Sequence, residues 1–396
     1  MSWQIILKAR RQRLLELEKA RKYSESDLAK LAATAFQSYA EANLPELLSS
    51  TESSPLDPKN YVARRDAAYG KVLAGGTLSG EGKPGDAEAK MKMHLNNLTA
   101  AAAAIQEDKV FGGADEILLP YLDSLYKDSI DGTDHTIFTD VTKYWEDQFM
   151  GDMDALNVMR PETITRVTAY VPQIAKFVEQ IVAKGFAYEA EGSVYFDIAA
   201  FEKAGNPYAR LRPESRNDKA LQEDGEGSLS KNLGGKRGPG DFALWKKSKP
   251  GEPVWESAWG GGRPGWHIEC SVMASDVLGS QMDIHSGGID LAFPHHDNEL
   301  AQSEAYFCEH EKGPHSWVNY FLHMGHLSIA GSKMSKSLKN FQTIKDALKN
   351  DYTPRGMRIV FLMGRWNDGV EISPDMRTMA EGWETTVNVS HCVTRR

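Results

Sequence analysis

Arg263-Pro-Gly-Trp-His-Ile-Glu-Cys270, followed by Gly287-Gly-Ile-Asp290 and Phe293-Pro-His-His-Asp-Asn-Glu299, is the passage on which the reading of this chain turns. Cys270 offers a soft thiolate, His295 an imidazole nitrogen and Glu299 a carboxylate oxygen, a donor set suited to tetrahedral zinc. If a helix begins after Pro294, His295 and Glu299 stand four residues apart on one face and can converge on one ion. Three protein donors would leave one coordination position open, as in catalytic zinc sites. The competing reading is a buried cysteine beside a hydrogen-bonded histidine, with no metal. His296 is an alternative ligand to its neighbour, and Asp297 is suited to capping a helix start or to hydrogen-bonding behind a ligand.

A second passage, Gly331-Ser-Lys-Met-Ser-Lys-Ser337, separates two lysines by small polar residues. Lys333 and Lys336 can place positive charge, and Ser335 a hydroxyl, around a triphosphate, while Gly331 gives the loop conformational freedom. When an α-phosphate is attacked, charge gathers on the departing pyrophosphate, and cations that meet it there lower the barrier. The competing reading is a solvated Lys/Ser loop; the company of the first passage favours the phosphate reading.

The rest of the composition narrows the class without naming it. The chain has 396 residues, 41% hydrophobic and 26% charged, which fits a globular protein of two or three domains. A formal net charge of −9 argues against non-specific coating of nucleic acid and leaves room for a local basic surface that docks one RNA. Cys270, Cys308 and Cys392 are too few and too scattered for a disulfide framework, so a reducing compartment is expected. Cys392 is read as neither ligand nor nucleophile. The opening Met1-to-Lys19 stretch puts its apolar residues before its basic ones, the reverse of a secretory signal, and no stretch reaches the roughly 18 apolar residues of a membrane helix. A cytoplasmic location is expected ahead of a mitochondrial one.

Along the chain, Leu14, Leu15, Leu17, Leu28, Leu31, Ala32 and Ala35 recur at helical spacing and predict a helical pair over 7–43, broken at Tyr23-Ser24, with Ser24 capping the second helix. Further helices are predicted over 60–73, 87–106 and 115–126, separated by loops near 49–60 and 75–85. Ile164, Val167, Val171, Ile174, Phe177, Ile181 and Val182 predict another helix, closed at Gly185 and kinked or divided at Pro172. Phe186–Tyr188 and Val194–Phe196 around Gly192 predict a hairpin. Residues 212–240, with six glycines, read as a long surface loop, before the apolar segment Asp241–Trp245 and a turn at Lys249-Pro-Gly251.

These passages together resemble cysteinyl-tRNA synthetase, a class I aminoacyl-tRNA synthetase, and its eukaryotic form most closely. The resemblance is carried by Asp152-Met-Asp-Ala-Leu-Asn-Val158, Tyr195-Phe-Asp197, Asp241-Phe-Ala-Leu-Trp-Lys246, Gly262-to-Cys270, Phe293-to-Glu299 and Lys333-Met-Ser-Lys-Ser337, in the expected order over most of 138–372. Lys333–Ser337 is the literal KMSKS signature of class I. The resemblance implies an α/β fold: part of a Rossmann-type catalytic domain with a helical insertion. The expected domains are a mainly helical region over 1–136, a zinc-containing catalytic region over 137–330, the KMSKS loop and its sequel over 331–375, and an atypical tail over 376–396. It implies that Cys270, His295 and Glu299 bind Zn2+, that Trp266 lies near the amino-acid pocket, that Asp290 orients bound substrates, and that Lys333 and Lys336, with Ser335, assist ATP, which normally comes with Mg2+. The substrates implied are L-cysteine, ATP and tRNA(Cys). Zinc would select cysteine because a thiolate is a softer and stronger ligand than the serine hydroxyl. Cysteine would attack ATP through its carboxylate to give cysteinyl-adenylate and pyrophosphate, and a terminal ribose hydroxyl of the tRNA would then take the cysteinyl group.

The family also has an upstream CGPTVY segment with another zinc cysteine and a HIGH signature, followed by a TDIDDK-like stretch. Gln4-Ile-Ile-Leu-Lys-Ala-Arg-Arg11 resembles what comes just after it, so those parts are expected to be missing here and ATP–pyrophosphate exchange to be weak. His323-Met-Gly-His326 is not a displaced HIGH, because it matches the ordinary segment that leads into KMSKS. A non-catalytic zinc- or nucleotide-binding fragment, acting as an interaction protein, is the alternative function. A zinc hydrolase is disfavoured because no general base accompanies the three donors.

Overall fold

The computed structural model describes residues 3–48, 55–79, 85–226, 235–309, 314–329, 332–333 and 342–394. The chain divides into two compact units, one of Leu7–Ile130 and one built from Met1–Ile6, Asp131–Lys333 and Gln342–Arg396.

The first unit is helical: α1 (Trp3–Lys19), α2 (Glu25–Asn43), α3 (Tyr61–Leu73), α4 (Asp86–Gln106), the single turn α5 (Val110–Gly113) and α6 (Asp115–Tyr126). The predicted break falls between α1 and α2, and the Ser24 hydroxyl accepts the Asp27 N–H at 3.2 Å, the capping bond expected of it. Leu14, Leu15, Ala32 and Ala35 are buried as the spacing predicts. Leu17 is exposed, because two residues beyond Leu15 it faces nearly the opposite way round the helix. Arg10 of α1 reaches Asp123 of α6 inside this unit.

The second unit begins with α7 (Thr136–Ala155) and α8 (Val167–Ala183). Val171, Ile174, Phe177, Val178 and Ile181 turn one side of α8 into the core. Gly185, at φ 81°, ends the helix by donating its N–H to Val182, while Phe186 donates to Ile181. Pro172 does not divide α8: it stands close to the helix start, where the carbonyl it leaves unpaired belongs to the first turn.

A four-stranded antiparallel sheet follows, in the order β1 (Ala187–Ala190), β2 (Ser193–Phe196), β3 (Phe242–Lys247), β4 (Gly262–Pro264). Its first hairpin is the predicted one, with Glu191 and Gly192 both at positive φ, as a tight two-residue turn requires. The short helix α9 (Ile198–Lys203) comes next. The predicted loop over 212–240 needs correction, since it contains α10 (Lys219–Glu226). Asp218 accepts the N–H groups of Ala220 and Leu221 at the start of α10, and Leu221 packs on the core. Residues 227–234 lie outside the described residues.

Beyond the sheet come α11 (Trp266–Leu278), β5 (Met282–Gly288), α12 (Asp297–Phe307) and β6 (Val318–Met324). β5 and β6 are parallel neighbours, with His285 opposite Phe321, and α12 connects them in a β-α-β crossover of the Rossmann kind. The α/β expectation is thus met. α12 is buried from Asp297 through Ala305 although most of those residues are polar. Its side chains are tied down: Asn298 accepts from Tyr208, Gln302 donates to Ser271, and Glu304 accepts from Arg210. Asp297 does not cap its own helix; it accepts the N–H groups of Leu211 and Arg212, fixing that strand of chain against the start of α12.

The unit closes with a three-stranded sheet of β7 (Leu327–Ile329), β8 (Ser332–Lys333) and β9 (Val370–Ile372), and with α13 (Ile344–Asn350), α14 (Pro354–Met363) and α15 (Pro374–Thr394). α15 packs Ala380 against Ile359 and Val360 of α14. Among the described residues no helix is long and apolar enough to cross a membrane.

Candidate metal centre

Cys270 stands in the second turn of α11, whose direction is set at Gly265. There the backbone passes so close to β3 that a Cβ would lie 2.0 Å from the Ala243 carbonyl oxygen. The Gly265 N–H also donates to Leu244 O at 2.8 Å, which ties the helix start to the sheet. His295 is the next-to-last residue of the wide turn Ala292–His296, and Glu299 lies four residues on, in the first turn of α12. The ligand atoms of Cys270, His295 and Glu299 all lie within 4.8 Å of one another.

Glu299 is buried, and its two oxygens are treated differently. Oε2 accepts a hydrogen bond from His285 Nε2 at 2.7 Å. Oε1 approaches His295 Nε2 to 2.7 Å but without hydrogen-bond geometry, so this buried oxygen has no hydrogen-bond partner. A buried oxygen in that state calls for an explanation, and a shared cation is the simplest. The donor chemistry fits a soft-to-borderline ion.

Further histidines surround the cluster. His267 Nδ1 is 2.9 Å from His295 Nδ1, and His296 Nδ1 is 2.8 Å from His323 Nε2. A second set, His285, His296 and Glu299, also gathers its ligand atoms within 4.8 Å. Gly287 makes room for it, since a Cβ there would stand 2.7 Å from His296 Cε1.

Burial pushes the Cys270 thiol well above its ordinary range, and the charges of Glu299 and Glu269 push it further, so the thiol keeps its proton until a cation favours the thiolate. Burial would raise the Glu299 carboxyl as well, but the hydrogen bond from His285 and the close approach and charge of His295 outweigh it and hold the group down to about 2. Burial lowers His296 to about 4, even against the pull of Glu299. His267 is lowered strongly by burial, then by His295 and Lys246. Neutral imidazole is the form that ligates metals.

The structure therefore brings Cys270, His295 and Glu299 together. It sets the half-exposed Trp266 ring 4.5 Å from that of His295. Asp290 lies in a turn just after β5, largely exposed, with His326 Nδ1 3.9 Å away. Lys333 ends β8, whereas Ser335 and Lys336 lie outside the described residues. The side chain of Cys392 likewise lies outside them. His323 is the next-to-last residue of β6 and His326 follows that strand, so neither stands at a helix start as a HIGH histidine would. Sequence reasoning passed over His285 and His267. The only local signal for His285 was its place just before Gly287-Gly288 in a segment of alternating pattern.

The family of tRNA synthetases class I (C) catalytic domain matches residues 5–381. The cytoplasmic cysteine–tRNA ligase of Xenopus laevis is 44% identical over 389 residues, which cover 97% of this chain and 48% of that protein. The human cytoplasmic enzyme is 53% identical over 279 residues, 69% of this chain and 36% of its own. That of Dictyostelium discoideum is 56% identical over 250 residues, 63% of this chain and 37% of its own. The chain thus spans about half the length, or less, of these curated relatives.

Proposed function

Since this chain belongs to the family of class I (C) tRNA synthetase catalytic domains, we propose that it serves cysteine–tRNA ligation: ATP-dependent activation of L-cysteine and its transfer to tRNA(Cys), in the cytoplasm. The reading assigns Cys270, His295 and Glu299 as ligands of a Zn2+ ion. The single observation that carries it is the buried Oε1 of Glu299, without a hydrogen-bond partner and facing His295 and the Cys270 thiol. When bound, the ion supplies a Lewis acid that prefers a substrate thiolate to a hydroxyl. The protein's part is to aim the three donors, to exclude water from the buried side of the cluster, and to present the Trp266 ring as a wall beside the ion. Asp290 is assigned to orienting substrates. Lys333, Ser335 and Lys336 are assigned to ATP with its Mg2+, meeting the charge that develops on pyrophosphate. Its cytoplasmic location is supported by the names of the relatives.

The test is cobalt(II) titration of the protein, with L-cysteine and then L-serine added. Cysteine is expected to intensify the thiolate-to-cobalt absorption and serine to leave it unchanged, and the Cys270→Ala variant should bind the ion far more weakly. If cysteine and serine produce the same spectrum, the reading fails.

A further inference from the structure

We infer that Arg358 is a positioning residue for Lys333: it bolts the helices that follow the lysine to the end of α7, and so sets where that stretch of backbone stands in its unit. The inference rests on the assignment of Lys333 to ATP made above, and it concerns a residue which that assignment leaves out.

The observation behind it is the way α7 ends. Asn157 takes a left-handed conformation at φ 54°, its N–H donates to Asp154 O at 3.0 Å, and the Val158 N–H donates to Met153 O at 3.0 Å. This is a common way for a helix to stop, and it leaves the last carbonyls without helical partners. Arg358 Nη1 of α14 donates to two of them, Leu156 O at 3.0 Å and Asn157 O at 2.9 Å. A cation is favoured there, at the negative end of the helix dipole. Beside this contact Leu156 is buried with Ala347 of α13 and Met357 of α14. The end of α7 is thus the socket in which α13 and α14 sit.

Those helices hold the backbone on both sides of residues 334–341, which lie outside the described residues. On the entry side, Lys333 of β8 pairs with Ser328 of β7, and β7 runs parallel to β9 with Leu327 opposite Val370. Val370 in turn packs on the cluster of Ile359 and Val360 of α14. On the exit side, Gln342 Nε2 donates to Asp351 Oδ2 at 3.0 Å, and Asp351 closes α13 by donating its N–H to Ala347 O at 2.8 Å. One block of α13, α14 and β9 therefore carries both ends.

α7 is a suitable anchor for such a block. Its 20 residues span about 30 Å. Just before its start, the His135 ring stacks on Trp255 at 4.4 Å and His135 Nε2 lies 2.8 Å from Val254 O. Farther along, Glu146 accepts from Arg166 at 2.9 Å, at the start of α8. The helix is tied down at one end by the β3–β4 connection and holds the block at the other. The rival reading is that Arg358 serves the fold alone, as a helix cap.

Equilibrium binding of Mg2+-ATP to the full chain separates the two. It is measured for the parent, Arg358→Met, Arg358→Lys, Lys333→Ala and the variant that combines Arg358→Met with Lys333→Ala, and cobalt(II) binding checks that the metal centre is intact. ATP affinity should fall by about fivefold in Arg358→Met, while cobalt affinity stays as in the parent. Arg358→Lys should return to within about twofold of the parent, because an ammonium can still donate to both carbonyls. In the Lys333→Ala background, Arg358→Met should cost less than about twofold further, because the residue it positions is gone. A cap that serves the fold alone predicts that the two losses multiply. That outcome, or an Arg358→Met chain that binds ATP as the parent does, overturns the inference and leaves the assignment of Lys333 standing. If Arg358→Met loses cobalt binding as well, Arg358→Gln goes through the same cycle: an ATP loss that vanishes in the Lys333→Ala background supports the inference, and a loss that persists, or no loss, overturns it. A parent that does not bind ATP, or a Lys333→Ala chain that binds it as the parent does, overturns both the assignment and the inference.

Discussion

Each unit of the molecule contains a buried carboxylate that meets nitrogen donors, and the two are partnered in opposite ways. In the helical unit, Asp123 receives Arg10 in a fork, Nε on Oδ1 at 2.6 Å and Nη2 on Oδ2 at 3.0 Å. Both oxygens are used, Arg11 Nε also lies 3.8 Å from Oδ2, and nothing is left over for a ligand. In the α/β unit, Glu299 has one oxygen satisfied by His285 and the other facing His295 without a hydrogen bond. A closed pair serves the fold, whereas a carboxylate with one oxygen left unsatisfied is, on the zinc reading proposed above, aimed at something that is not part of the chain. The difference lies in the second oxygen, not in burial or charge, since both residues are buried.

Amide substitutions of matching shape put the largest effect on that distinction. Asp123→Asn removes the carboxylate charge that the buried Arg10 and its neighbour Arg11 share, and should cost about 3–5 kcal/mol in chemical denaturation of the helical unit. Glu299→Gln keeps an oxygen for His285 but gives up the charge that His285 and His295 favour, so in metal-free protein it should cost about 2–3 kcal/mol, less than Asp123→Asn. Equal losses would erase the contrast between a closed and an open carboxylate.

Added zinc sharpens the same contrast at a smaller scale. Zinc at about a hundred times its dissociation constant should stabilise the parent by about 2.7 kcal/mol, reversed by a chelator. Asp123→Asn should keep that increment and Glu299→Gln should lose it. An increment that survives in Glu299→Gln would place the ion elsewhere.

How much of this was legible in the sequence depends on how far apart the cooperating residues lie. The Ser24 cap, the buried side of α8 with its Gly185 stop, and the Glu191-Gly192 turn are signals contained within a few residues, and they could be read directly. His295 and Glu299 are of the same sort, one helical turn apart. Cys270 is joined to them by donor chemistry and by the family resemblance rather than by spacing, because β5 and the turn before α12 intervene. His285 was missed because it meets Glu299 from a strand across to the helix that follows, and no periodicity reports a contact between two different elements. The α10 helix escaped notice for a different reason: glycines and charges nearby read as loop, and the Asp218 cap and the inward Leu221 were outweighed. Ser335 and Lys336 remain legible as a motif alone, since they lie outside the described residues.

The smallest effect is one of pH, and it distinguishes a thiolate donor from a carboxylate and imidazole acting without it. Burial holds the Cys270 thiol above its ordinary range, so it is protonated in the free protein at neutral pH and must release that proton to bind an ion. Glu299, held to about 2, and His296, lowered to about 4, are already deprotonated there and add no slope. Zinc affinity should therefore rise with pH, by about tenfold per unit over roughly pH 7.5 to 9 after correction for metal hydrolysis. Calorimetry in buffers of different ionisation enthalpy should find about one proton released per ion. In Cys270→Ser the slope over that range should flatten, because the serine hydroxyl does not titrate there. A parent whose corrected affinity is flat across this window would mean that Cys270 stands beside the ion without binding it, and Glu299 would then share its open oxygen with His295 alone.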